Sequence, residues 1–401
     1  MKLRLPFILL TRSISIVILI GLFCFSLAAQ TQSSGTLDQL RNDLAMRYLE
    51  PAPHMALAKY YLDKGDRLQA FYILEAARRG RFEEPVFNHA FRKAFGQSNS
   101  LDDRQETESP LLVQYQKRIE EWYEKEPARA KAITTEAIAK FPAAGQLHFY
   151  LGSLLQREGK LREAEAQLVK AAELAPRSSL IQSWVGRFFF KVKSDNQRAL
   201  PFYLNAYFLD PHAYETEFVE SRVRKINWEA AAMRFDQLLK SGKPLMEIAR
   251  DPNPTVAVQA LARALEDWHP EYLATMIALM EHDDEEVRWT ATEAIKIHAD
   301  RSFDGQLKAL LQERDLRKRG LAAYIAVHLW KQESFALMRD MLREEAQLLR
   351  YDALSALMLE GGPEGRRVVQ AHRPSELNPT LQRLIDATAT TTKQGFTNKD
   401  F

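Results

Sequence analysis

The segment GQLHFYLGSLLQREGKLREAEAQLVKAAELAPRS, residues 145–178, decides how the chain is read. Leu151 and Gly152 fall in one helical stretch, Gly159 in a turn, Ala164, Leu168 and Ala171 in a second helical stretch, and Pro176 behind it. Small residues let the two helices of a hairpin approach closely, large apolar residues fill the space beside them, and proline cannot continue a helix. Downstream the pattern returns as Gly186, Ala199, Tyr203, Ala206 and Pro211, with one extra residue placed in a turn around Ser194, Asp195 and Asn196. Upstream, Ala130, Ala137 and Pro142 repeat its second half 34 residues before Ala164, Ala171 and Pro176, and Leu57, Ala58, Tyr61, Gly65, Ala70, Leu74 and Ala77 form a further copy.

Leu-Gly, Ala, a bulky residue, Ala and Pro at these offsets resemble the tetratricopeptide repeat. The departure from that family is at the aromatic position before the glycine, occupied by His148 in one copy and displaced to Trp184 in the next. Beyond about residue 245 the period changes to 31: Ala260, Ala291, Ala322 and Ala353 lie one period apart, as do Ile248, Leu279, Leu310 and Met341, and Leu245, Met276, Leu307 and Met338. Each copy reads as an apolar helix, a polar turn and a second helix with small residues on its buried face. This resembles the short HEAT-like repeat of bilin-lyase-type HEAT proteins, best preserved at Asp284, Val287, Arg288 and Ala291. The fold expected is all-α, an α-solenoid in which tetratricopeptide hairpins (51–218) lead through connecting helices (219–244) into HEAT-like repeats (245–375). Residues 30–50 form a polar lead and first helix, the polar segment 96–110 a mobile loop, and 376–401 a helix and a loose tail.

Ahead of the repeats, MKLRLPFILLTRSISIVILIGLFCFSLAAQ runs from basic to apolar to small residues. This is the order of a secretory signal peptide over 1–29, shorter in its apolar run than the roughly 20 residues of a spanning helix. A periplasmic or secreted location is expected, with a retained signal-anchor as the competing reading. The only cysteine is Cys24, and cleavage leaves a cysteine-free chain with 52 basic and 53 acidic residues, since 1–29 hold three of the 55 basic and none of the 53 acidic side chains. Near-neutral charge argues against a general nucleic-acid binder.

No Gly-rich phosphate loop, nucleophile elbow, His-Glu-x-x-His or paired cysteine motif occurs, so no catalytic residue, metal or cofactor is expected. The most site-like string is EHDDEEVR, 281–288, yet its counterparts RDPNPTVA (250–257), QERDLRKR (312–319) and REEAQLLR (343–350) occupy the same turn of the period. Asp283 or Asp284 is therefore expected to cap a helix start. Arg288, Arg319 and Arg350 recur with the period, as a structural ladder to adjacent repeats or as an anion-binding stripe. The tetratricopeptide resemblance implies a groove lined by first helices, with Gln146, Phe149, Ser153, Gln156 and Arg157 exposed in one copy and Ser183, Arg187, Phe190 and Lys191 in the next. The lack of asparagines there does not fit a carboxylate clamp. A protein or peptide partner is expected, making the chain an exported interaction scaffold. The alternatives are an enzyme or cofactor-handling protein akin to HEAT-repeat lyases, or a membrane-tethered assembly factor.

Overall fold

The computed structural model describes residues 36–78, 82, 84–96, 109–211 and 216–390. The expected signal peptide, most of the expected 96–110 loop and the expected tail from 391 lie outside the described residues. Among these the chain is helical throughout, and helices pack as successive antiparallel pairs, the α-solenoid that the two periods imply.

Three hairpins run in chain order. They are α5 (Pro110–Tyr123) with α6 (Pro127–Lys140), α7 (Gly145–Arg157) with α8 (Leu161–Leu174), and α9 (Ser179–Arg187) with α10 (Asn196–Leu209). The close approach read from the glycines is real: a Cβ on Gly152 would sit 2.7 Å from Leu168 Cγ, and one on Gly186 would sit 2.9 Å from the Tyr203 ring. Gly159 takes φ +75°, the left-handed turn that L side chains resist. His148 fills the aromatic position as a buried, bonded group, its Nδ1 2.7 Å from Gln167 Oε1 and its Nε2 2.9 Å from the Pro142 carbonyl. The extra residue of the next copy is absorbed before the turn, where Phe188–Val192 widen into a π-helical turn and Ser194 takes φ 54°.

The period of 34 does not stop at α10. Leu155, Phe189 and Val223 lie one period apart and are all buried, so helix α11 (Thr216–Lys240) begins as the first helix of another hairpin. It then runs on into the 31-residue array. There the second helices α13 (Pro254–Glu266), α15 (Glu285–His298), α17 (Leu316–Trp330) and α19 (Gln347–Leu359) pack side by side. Their shared alanines Ala260, Ala291, Ala322 and Ala353 are fully buried, which lets these helices approach. The shorter first helices are α12 (Leu245–Ile248), α14 (Leu273–Leu279), α16 (Asp304–Leu310) and α18 (Phe335–Met341), with α20 (Gly362–His372) and α21 (Pro379–Thr390) closing the end.

The N-terminal helices depart from chain order. α1 (Leu37–Met46), α2 (Pro51–Asp63), α3 (Arg67–Arg78) and α4 (Glu84–Phe95) lie against α10, α11 and the HEAT-like part. Tyr207 of α10 packs edge-on to Phe71 at 4.8 Å and gives its hydroxyl proton to Glu75 at 2.7 Å. Their polar contacts with the second array fall on three of the four equivalent turns noted in the sequence. Tyr72 meets Thr255 at 3.2 Å, and Arg41 and Tyr61 meet Asp283. Arg317 joins Asp283 at 2.7 Å, and the Leu49 amide donates to Gln347 Oε1 at 2.8 Å beside a Tyr48–Tyr351 ring contact.

Asp283→Ala removes the acceptor shared by Arg41, Tyr61 and Arg317. Breaking a buried ion pair costs about 3–5 kcal/mol. Asp315 stays on Arg317 and Arg41 is part-exposed, so about 3 kcal/mol is expected. Urea denaturation should show this loss, with faster amide exchange concentrated in 37–63; a variant as stable as the parent would refute the docking role.

Candidate binding surface

Within EHDDEEVR, three of the acids have separate tasks. Asp284 is the helix cap, accepting from the Val287 amide at 3.1 Å, and burial pushes its carboxyl up to about 6. Burial would also raise Asp283, but Arg41, Arg317 and Tyr61 hold its carboxyl below the ordinary value. Glu281 pairs with Lys318, and burial depresses His282 to about 4. Among the described residues no three His, Cys, Asp or Glu side chains converge as metal ligands.

The arginine series is held within the protein. Arg288 donates through Nη1 to the carbonyls of His282 at 2.6 Å and Asp283 at 3.0 Å, and Arg350 does the same to Glu344 at 2.9 Å and Glu345 at 3.2 Å. Arg319 reaches the next repeat through Glu344, and Arg350 reaches Glu376, one period beyond Glu345, at 3.4 Å. The expected ladder between repeats is thus corrected for Arg288 alone. A guanidinium with several donors satisfies the carbonyls left free at the end of its own repeat's first helix, which is nearer than a neighbour's carboxylate.

The groove candidates divide by burial. Phe149 and Ser153, expected to be exposed, are buried; Phe149 sits edge-on to Trp184 at 5.8 Å, because adjacent first helices close over it. Gln156 and Phe190 are half-buried, while Arg157, Arg187 and Lys191 are exposed. Arg157 is engaged with the Tyr123 carbonyl at 2.9 Å and Glu124 at 3.1 Å. Arg187 lies over Trp184 at 4.9 Å, and Arg222 over Phe190 at 4.9 Å, so α7, α9 and α11 share one face of alternating rings and cations.

That face ends in a cleft of about 340 Å³ lined by Tyr72, Arg224, Lys225, Trp228, Thr255, Val258 and Glu286. Three parts of the chain build it: α3, α11 and the start of the second array. Beneath it Asn227 donates to Tyr72 Oη at 2.8 Å and Thr255 Oγ1 at 2.6 Å, and receives from Asn253 at 2.9 Å. Trp228 is 54% exposed, unusual for so large an apolar ring. Sequence reasoning missed Arg222, Lys225 and Trp228 because 219–244 read only as a connector. The signal was present, since Arg157, Lys191 and Lys225 are spaced by 34.

Residues 242–326 match the family model for HEAT repeats. The second array is built of HEAT repeats. No curated protein matches the chain. Among solved structures, the crystal structure of the P58(IPK) TPR domain aligns with 86% of this chain and 96% of its own at 14% identity, with a TM-score of 0.27. The hairpins ahead of the HEAT repeats carry the tetratricopeptide pattern in sequence and its close helix approach in space.

Behind the cleft, Glu75 is fully buried with Tyr207, Arg78, Glu220 and Arg224 around it. Burial, reinforced by the neighbouring Glu220 carboxylate, pushes Glu75 up to about 7, while against its own burial Glu220 is held down at about 2 by the hydrogen bond with Glu75 and by the two arginines. A free glutamate titrates near ~4.3. Between that value and about 7 the native state keeps a proton the unfolded chain has lost, so stability falls as pH rises through this window and levels above it. Glu75→Gln should remove the fall in urea midpoint from pH 5 to 8, because what remains is a fall from Asp284 up to about pH 6 opposed by a rise from His282, which is depressed to about 4; an unchanged slope would contradict the assignment.

Proposed function

We propose that the chain is a non-catalytic scaffold that holds an extended segment of a partner protein along the first-helix face of α7, α9 and α11. One observation carries the reading. The row of HEAT turns is covered by the chain's own α1–α3, through Thr255, Asp283 and Gln347, whereas among the described residues no element covers the ring-and-cation face from Trp184 to Trp228. A solenoid offers a long continuous surface, and an extended chain laid on it gains contacts repeat by repeat. The order of basic, apolar and small residues in 1–29 supports export of this scaffold before it meets its partner.

A photo-crosslinking amino acid at Lys191, on the open face, and at Lys308, on an exposed HEAT first helix, tests the reading in cells. The 191 position should yield one defined adduct and the 308 position none; equal labelling at both would overturn it. N-terminal sequencing of the same material should begin at Ala29, Gln30 or the next residues, and a chain starting at Met1 would refute cleavage.

A further inference from the structure

The first-helix face carries cations that, among the described residues, lie against rings and are scarcely engaged by carboxylates. Arg187, Lys191 and Arg222 make no ion pair among the described residues, and Lys225 has a single contact at 3.8 Å with Glu229. By contrast, the other basic groups nearby are consumed by structure: Arg224 reaches Glu220 at 3.0 Å and Glu75 at 3.6 Å, and Arg198 reaches Glu165 at 2.6 Å. A guanidinium lying against an aromatic ring gains cation–π attraction and keeps N–H donors for an outside acceptor. Arg187 on Trp184 and Arg222 on Phe190 have this arrangement, and Lys225 adds a second cation 5.8 Å from the Phe190 ring.

At the end of this line the cleft provides a different surface. Trp228, Val258 and Tyr72 form apolar walls, with Lys225 at one side and Glu286 at another. Its volume, about 340 Å³, is that of a small ligand pocket, and one large side chain fits it better than a folded element would. The cleft exists only because α3, α11 and the first HEAT turn meet, so it belongs to the junction and not to any one repeat.

We propose that the partner segment is acidic and extended, inserting one large apolar side chain into the junction cleft against Trp228 while its carboxylates meet Lys225, Arg222 and Arg187 in turn. The proposal rests on the peptide-scaffold reading and adds its chemistry and anchor point. Carboxylates favour the arginines because a planar guanidinium accepts them through paired hydrogen bonds. A polyphosphate strand is disfavoured: the whole chain has a net charge of only +2, and Glu229 and Glu286 border the same line. The apolar anchor supplies what surface ion pairs alone do not, since exposed pairs contribute little when screened by salt.

The test is fluorescence anisotropy on the purified chain with four labelled probes: a twelve-residue Asp/Glu-rich peptide with one central Phe, the same peptide with Phe→Ser, its Lys-rich counterpart, and oligo-dT of equal length. The acidic Phe peptide should bind at least tenfold more tightly than the other three, weaken with salt, and lose tenfold or more on Trp228→Ala and on Arg222→Gln with Lys225→Gln. Trp228 and Lys225 are exposed and Arg222 is unpaired, so circular dichroism should be unchanged in both variants, and each stands as an independent arm. Equal binding of acidic and Lys-rich peptides would refute the acidic preference and leave the scaffold reading intact. Loss of all peptide binding would refute both. Tightest binding by oligo-dT would replace a protein partner with single-stranded nucleic acid. Peptide binding that ignores Trp228→Ala would remove the cleft as the anchor.

Discussion

Asp283 is a carboxylate shared by Arg41, Tyr61 and Arg317, which come from the first helix, the second helix and the next HEAT repeat, and through it the N-terminal helices are tied to the HEAT array. The two residues of the Arg41 pair are 242 positions apart. A buried carboxylate with one partner would be costly; with two guanidinium groups and a hydroxyl around it, its lone pairs are used and its charge is matched. The other contacts on the same row, at Thr255 and Gln347, are weaker singly, but they fall on equivalent turns of the HEAT array. The repeat therefore supplies a regular line of helix starts, and each start offers a different polar group to the N-terminal helices.

This docking decides which surface is left for anything else. Repeat arrays ordinarily end in exposed apolar faces that need a cap. Here α1–α4 take up that work at the junction, covering Tyr207 with Phe71 on one side and meeting the HEAT turns on the other. The buried cluster of Glu75, Glu220, Arg78 and Arg224 lies at the same seam, so the seam combines apolar burial with charges that must be matched within it. Among the described residues, what remains uncovered is the first-helix face, where rings and cations alternate down to the junction cleft.

Much of this architecture was legible in the residues. Gly152, Gly186 and Gly159 mark close approach and turn, and the structure shows each in that role. The buried alanines of the HEAT array and the cap at Asp284 follow from the same kind of reading. The candidate surface was less legible. Phe149 and Ser153 sit at positions the tetratricopeptide pattern exposes, yet the ring of Trp184 closes over Phe149, and a pattern that records residue type does not record how a neighbouring helix leans. The connector 219–244 concealed Arg222, Lys225 and Trp228, although the 34-residue spacing of Arg157, Lys191 and Lys225 runs into it.

By itself the sequence determined the helices, their hairpins, the change of period near 245 and the identity of the small residues that let helices touch, because each of these depends on neighbours within about one repeat. Tertiary structure alone decided that the N-terminal hairpin lies on the HEAT turns, that Asp283 is the place where it is tied, and that a cleft opens between α3, α11 and the first HEAT turn. These depend on pairs hundreds of residues apart, such as Arg41 with Asp283 and Leu49 with Gln347, whose attraction is short-ranged and carries no mark in the local pattern of either partner.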